Sequence, residues 1–270
     1  MKFIRVCRNA AVVLMILAAS GCGGGQQEAT APAQLDQNPV PLIQYPAQQI
    51  RFNSVALFEQ TDARFLRLTE VSTGDTLELF AEVPNVPGIP SNFSSFVSGG
   101  GDQYAIVGKT PSGAGWVISG AETIPHQLES LEESTLPDAR LGRVQYTGDY
   151  VGQYARDDGV TVDFGHMLGD ATIRVDFAAG MVEGEITGRA NTGRTMAEPI
   201  TLLPGDFENG LWRGRTEGGQ FVGGEALNGG DHIGLVTGSA GEEVIAAIQI
   251  RHRLGAAEYR EAGSIVATAE

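Results

Sequence analysis

The chain has 270 residues, with 18 basic against 33 acidic side chains and a formal charge of −15. Such acidity argues against nucleic acid as a partner, because that binding depends on neutralising phosphates, and against a polybasic grip on anionic lipid. The 37 glycines and 12 prolines follow no collagen period, and with 42% hydrophobic residues they suit many short strands and tight turns.

The N-terminus reads as an export signal. Lys2, Arg5 and Arg8 form a positive segment, and Ala10–Ala19 an apolar one too short for a bilayer span of roughly 20 residues. Leu17-Ala18-Ala19-Ser20-Gly21-Cys22 is similar to a bacterial lipobox, with Ala19 where leucine is more usual. That resemblance implies a lipoprotein signal peptide over residues 1–21, cleavage before Cys22 and lipid on its thiol. Cys7 leaves with the signal, so the mature chain has no disulfide. Gly23-Gly24-Gly25 then opens a Gln/Ala/Pro-rich tether over residues 22–48, with a reach of roughly 25–30 Å.

Residues 49–136 read as a smaller, irregular β region. Phe65–Thr69 and Leu77–Phe80 flank Ser72-Thr73-Gly74-Asp75 as a hairpin. Gly99-Gly100-Gly101-Asp102 and Pro111-Ser112-Gly113 are turns beside the strands Tyr104–Val107 and Trp116–Ile118. The spacing predicts one short helix over His126–Glu133.

From Gly142 the period becomes two. Val144, Tyr146, Tyr150 and Tyr154 share one face. Asp158-Gly159 is a hairpin turn. Ala171, Ile173, Val175 and Phe177 point one way, with Arg174 and Asp176 opposite. Val182, Gly184, Ile186 and Gly188 alternate against Glu183 and Glu185. Val244, Ala246, Ile248 and Ile250 follow later. The expected fold is all-β: a soluble antiparallel β-barrel of about eight strands over residues 137–254, then a C-terminal tail over 255–270. Arg174, Asp176, Glu183 and Glu185 on the outward face argue against a membrane-spanning barrel, where each charge costs roughly 2–4 kcal/mol near the midplane. Closure without an outside edge partner predicts that 137–254 folds alone.

Several motifs carry a resemblance. These are Pro137 with Gly142 and Tyr146-Thr147-Gly148; the hairpin Gly169–Phe177 with Val182–Gly188; Gly219–Ala226 with Gly229-Gly230; and the strand Val244–Arg251. Over residues 137–251 the chain resembles the β-barrel domain of the transferrin-binding protein B family of surface lipoproteins. Full members have two lobes, each with a barrel and a handle domain. Here there is one barrel and one shorter N-terminal region, so transferrin binding is not implied. Single-barrel relatives include factor-H-binding and haem- or haemoglobin-binding lipoproteins, so the ligand varies on this fold.

No constellation of nucleophile, base and oxyanion donors is readable, and no enzyme activity is expected. Gly238-Ser239-Ala240-Gly241 lacks the spacing of a nucleophile elbow. His126, His166, His232 and His252 lie far apart, so no metal site or cofactor is expected, and each reads as a solvated histidine. Arg251-His252-Arg253 reads as a solvated strand end. The only assigned site is lipid attachment at Cys22, and no ligand-binding residue is assigned.

The sequence thus predicts a lipoprotein lipid-anchored to the bacterial outer membrane or exposed at the cell surface. The resemblance implies help from surface lipoprotein export machinery. Its barrel binds a protein or an iron or haem carrier, through the irregular loops Val83–Asp102 and Gly188–Pro204. The alternative is a periplasmic lipocalin-like small-ligand binder, which needs a cavity among Phe164, Phe177 and Phe221.

Overall fold

A computed structural model describes residues 88–98, 104–119, 134–137, 142–227 and 229–270, together with the backbone of the other strands named below. The proposed signal, Cys22, most of the tether and Gly99–Asp102 lie outside the described residues. In chain order the strands are β1 (Gln44–Tyr45), β2 (Gln49–Phe52), β3 (Leu57–Asp62), β4 (Phe65–Thr69), β5 (Thr76–Ala81), β6 (Phe93–Ser98), β7 (Tyr104–Lys109), β8 (Gly113–Ser119), β9 (His126–Ser130) and β10 (Ser134–Thr135). They continue as β11 (Arg143–Asp157), β12 (Val162–Asp176), β13 (Met181–Asn191), β14 (Ile200–Glu208), β15 (Leu211–Gly218), β16 (Glu225–Ala226), β17 (Gly230–Thr237), β18 (Glu243–Leu254) and β19 (Ala257–Ala269). Among the described residues there is no helix.

Eight strands close the barrel in the order β11-β12-β13-β14-β15-β17-β18-β19, with β19 pairing back onto β11 from Tyr146↔Ala269 to Asp157↔Glu258. All pairs are antiparallel, and β16 adds to β18 at Glu225↔Arg253. Closure pairs the backbone groups that an open sheet would leave at its edges. The interior follows the expected alternation: Tyr146, Tyr150, Ile173, Val175, Val182, Ile186, Trp212, Val244, Ala246 and Ile248 are buried together, while Arg174 lies outside. Glycines in the wall make room for flat rings. The nearest atoms to a Cβ at Gly234 are those of the Trp212 indole, and at Gly263 those of the Tyr150 ring. These glycines serve packing.

Two expectations change. Residues 257–269 are no tail: β19 forms two full ladders and supplies Ile265 and Ala267 to the core. A fragment ending at Leu254 lacks the strand that closes the barrel. His126–Ser130 is strand, not helix, because β9 pairs with both β8 and β2. Tertiary pairing overrides the local helical spacing.

The N-terminal strands make their own antiparallel sheet, β2-β9-β8-β7-β6-β5-β4-β3, rather than completing the barrel. β2 and β3 stand at its opposite edges, yet Phe52 and Leu57 are only five residues apart, a reach of about 18 Å. Seven flat strand spacings span about 34 Å, so this sheet curls strongly. β1, expected in the tether, pairs with β10 at Gln44↔Thr135 and ties the two ends of this region together.

The sheet covers one flank of the barrel. Phe93 and Ile106 pack with Val151, Ile233, Leu235, Ile245, Ala247, Ala262 and Val266, which point out of the barrel wall. That is why Val244–Ile250 is nearly continuously apolar: both faces of β18 are buried. Polar contacts fix the register. Ser95 Oγ lies 2.9 Å from His166 Nε2, Thr237 donates to Ser112 Oγ at 3.0 Å, and Ser112 donates to the buried Glu243 carboxylate. The uncovered flank is charged, with Arg143 bridging Asp176 and Glu183, and Arg174 bridging Glu185.

Candidate functional site

The barrel has two unlike ends. One gathers the turns after β12, β14 and β17 and is sealed by apolar groups. Phe177 meets Phe207 edge to face at 5.2 Å, Leu136 joins the core, and Tyr146 donates to the Gly241 carbonyl at 2.8 Å. Gly238–Gly241 is a turn at this end. The other gathers the turns after β11, β13, β15 and β18.

Its polar character begins with a bulge in β13. Leu168 pairs with Ala190 and Asp170 with Thr187, so Gly188 and Arg189 together oppose Gly169. Gly188 has φ +60°, a left-handed conformation that glycine adopts without steric cost. The extra residue shifts the alternation and turns Arg189 inward, where its side chain is fully buried.

Arg189 meets Glu261 of β19 at 2.5 Å, and both side chains have 0% exposure. The Arg189 guanidinium also donates to the carbonyls of Glu198 and Gly219, at 2.7 and 2.6 Å. Tyr150 donates to the same Glu261 oxygen at 2.8 Å. Burial, with Glu261 beside it, holds the Tyr150 phenol well above its ordinary range. The Glu261 carboxylate and the Tyr150 hydroxyl together raise the Arg189 pKa against burial. Desolvation of the two charges is repaid only because several hydrogen bonds converge on the pair.

Arg189 thereby clamps two loops across the barrel mouth. Glu198 N donates to Gln220 O, Gly219 N to Pro199 O, and Val222 N to Met196 O. Phe221 drops from this zipper into the barrel. Its ring lies 5.6 Å from Tyr154, 5.3 Å from His252 and 5.0 Å from Tyr259, each time edge to face. His252 is 0% exposed, stacks on Tyr259 at 5.0 Å, and has no hydrogen-bond partner on either ring nitrogen.

The surface above this plug mixes apolar side chains with exposed charges such as Asp157, Arg194 and Glu198. Among the described residues Val160, Val162, Met196 and Val222 are exposed large hydrophobics at this end, and Met181 lies at the other. Of the loop Val83–Asp102 nominated by sequence only residues 88–98 are described, and there a Cβ at Gly88 would lie 3.1 Å from Leu168 on the outer wall.

Other expectations fare less evenly. His166, His232 and His252 are buried, not solvated, because each falls on a wall position with a covered face. The Arg251-His252-Arg253 strand end is solvated only at its arginines. Phe164 packs outward on Tyr104 at 4.4 Å rather than into the barrel. The sequence pattern does not mark Arg189 or Glu261 as site residues, and it reads His252 only as a solvated histidine. The signal for Arg189 was Gly188 in mid-strand, and Glu261 lay in the supposed tail. Among the described residues no three His, Cys, Asp or Glu side chains are grouped to hold a metal.

No known protein family matches the sequence, and no curated protein matches it. Among solved structures, the chain is similar to transferrin-binding protein B from serogroup B Neisseria meningitidis, at 14% identity and TM-score 0.45, over 83% of this chain and 43% of that one. It is similar to a variant of the same protein from Haemophilus parasuis at 11% identity and TM-score 0.42, over 83% and 46% of the two chains. A protein of unknown function from Nostoc punctiforme aligns at 11% identity and TM-score 0.26, over 84% and 94%. The chain spans less than half the length of the two transferrin-binding proteins.

Proposed function

We propose that the chain is a binding module, carried as a lipoprotein on the outer membrane or cell surface, that holds a protein partner on the plugged end of its barrel. The observation that carries this reading is that Val160, Val162, Met196 and Val222 are exposed apolar side chains at one end of the barrel. Apolar tips on a rigid scaffold are a common form of recognition surface. Lipid on Cys22 and passage through surface lipoprotein export machinery belong to the same proposal and rest on the lipobox-like run. The partner is a protein, including one that carries iron or haem. Binding rather than catalysis is proposed.

The test has two arms. Cys22→Ser is followed by cell fractionation and by protease shaving of intact cells; release from the membrane supports the anchor. Val160→Asp with Val222→Asp is then compared with wild type in crosslinking on living cells. Loss of crosslinked species with unchanged folding supports the surface, and retention contradicts it.

A second reading, a small ligand held inside the barrel, draws on one feature. Arg189 Nε, Glu261 Oε2, Gln220 Oε1 and both His252 nitrogens are buried beneath the plug without protein partners. Against it, Trp212, Tyr146 and Tyr150 already occupy the interior, and small barrels are commonly filled this way.

A further inference from the structure

We propose that the Phe221 segment is an acid-released latch: uptake of a proton by His252 unseats Phe221, and with it the surface formed by Met196 and Val222. The consequence for binding rests on the reading above, whereas the latch itself does not.

The latch has few holds. Phe221 contributes three edge-to-face contacts, one of them to His252. The segment is flanked by Gly218, Gly219 and Gly223, with φ +79°, +85° and +83°, so its backbone pivots on residues that move with little steric hindrance. Its remaining ties are the zipper to residues 196–199, the bond from Arg189 to Gly219 O, and, just beyond Gly224, the pairing of β16 with β18 at Glu225↔Arg253 and Ala226↔His252.

His252 is the titratable group directly beneath Phe221. Around it stand Tyr259 and Glu261 on β19 and Arg189 on β13, with Tyr154 on β11 reaching Tyr259 and Phe221. Glu225 on β16 and Arg251 and Arg253 on its own strand are exposed. Burial lowers the His252 pKa; Glu261 draws the proton, Arg189 repels it, and the outcome is about 4. An imidazolium has two N–H donors, and neither ring nitrogen has a partner here. A buried, incompletely paired cation is costly, and the nearest relief is water admitted by lifting Phe221. With the plug lifted, the imidazole regains an ordinary pKa near 6.5. Proton uptake and opening therefore favour each other, and the window runs from about pH 6.5 down to about 4.

The experiment is hydrogen exchange on the full chain at about pH 7.5 and about pH 4.5, corrected for intrinsic rates. Linkage between the two pKa values predicts a loss of protection of roughly 70-fold at Gly219–Gly224 in acid, while the β17–β18 ladder changes far less. His252→Phe retains an aromatic ring for the stack and cannot titrate, so its plug should stay protected at both pH values. If that variant opens in acid as wild type does, the proposal is wrong. Should the variant not fold, NMR titration of the wild-type imidazole decides. Coincident protonation and plug opening support the latch; protonation with the plug still closed, or opening with the imidazole still neutral, overturns it. No partner enters these readouts, so failure of the binding reading is distinguishable from failure of the latch.

Discussion

At the Tyr146 end the barrel interior is closed by Leu136, Phe177 and Phe207, and the buried carboxylate there, Glu243, faces out of the wall toward Ser112. At the other end the same wall carries a buried ion pair, an unpartnered imidazole and two loops held by arginine. Apolar closure is the less demanding solution, since buried charges need excellent geometry to offset desolvation. The difference teaches that the plugged end is organised to hold loops in place, and the sealed end to hold the barrel shut.

The largest expected effect comes from breaking the ion pair on one side. Glu261→Ala leaves Arg189 buried and uncompensated and should lower stability by about 3–5 kcal/mol in denaturant unfolding. Replacing both, as Arg189→Met with Glu261→Leu, should recover most of that loss, because apolar pairs of similar volume often substitute without net cost. A double variant as weak as the single would show that the loop carbonyls, not the charges, dominate.

Next is Phe207→Ala against Phe221→Ala. Truncating a core phenylalanine costs about 3–5 kcal/mol where the surroundings cannot adjust. Phe207 is only partly buried and should fall at or below the lower bound. Phe221 is buried, yet its segment can open locally, so its global cost should be smaller still. Equal costs would mean that the plug is as integral as the seal.

Acid should weaken the chain in a defined window. Burial holds His232 and His252 down to about 4, below the ordinary 6.5, even though His232 Nε2 donates to Leu203 O at 3.3 Å. A depressed pKa contributes stability that is complete above about 6.5 and lost as pH falls toward 4. The loss is of the order of 3 kcal/mol for His232 and is smaller for His252, where lifting the plug relieves the buried charge within the fold. His232→Asn and His252→Phe should each flatten part of that slope. A slope unchanged in both variants would assign the acid sensitivity to carboxylates.

How far the sequence reached differs between the same two regions. The β12–β13 hairpin was legible because Ile173, Val175, Val182 and Ile186 alternate without interruption. The plugged end was not. One extra residue at Gly188 reverses the parity of everything after it, so strict alternation from Ile186 puts Arg189 outside. β19 reads as a tail because the recognisable alternation and the family resemblance both end near Arg251, whereas its Glu261 is sheltered by Arg189 and Tyr150. The apolar outer flank of β17 and β18 is explained only by the sheet packed on it.

The smallest effect on stability is expected at the surface. Val222→Asp should change unfolding by no more than about 0.5 kcal/mol, since Val222 is 60% exposed. A large loss would mean that the tip packs within the chain and is not free for a partner.

The account turns on Arg189 and Glu261 holding the loops of one end, and residue-resolved hydrogen exchange of the Arg189→Met, Glu261→Leu chain tests this directly. The predicted result is faster exchange at the amides of Glu198 and Gly219, which the clamp holds in their zipper, with Phe207 and Val236 at the sealed end unchanged. Unchanged protection at Glu198 and Gly219, or an equal loss at both ends, would contradict it.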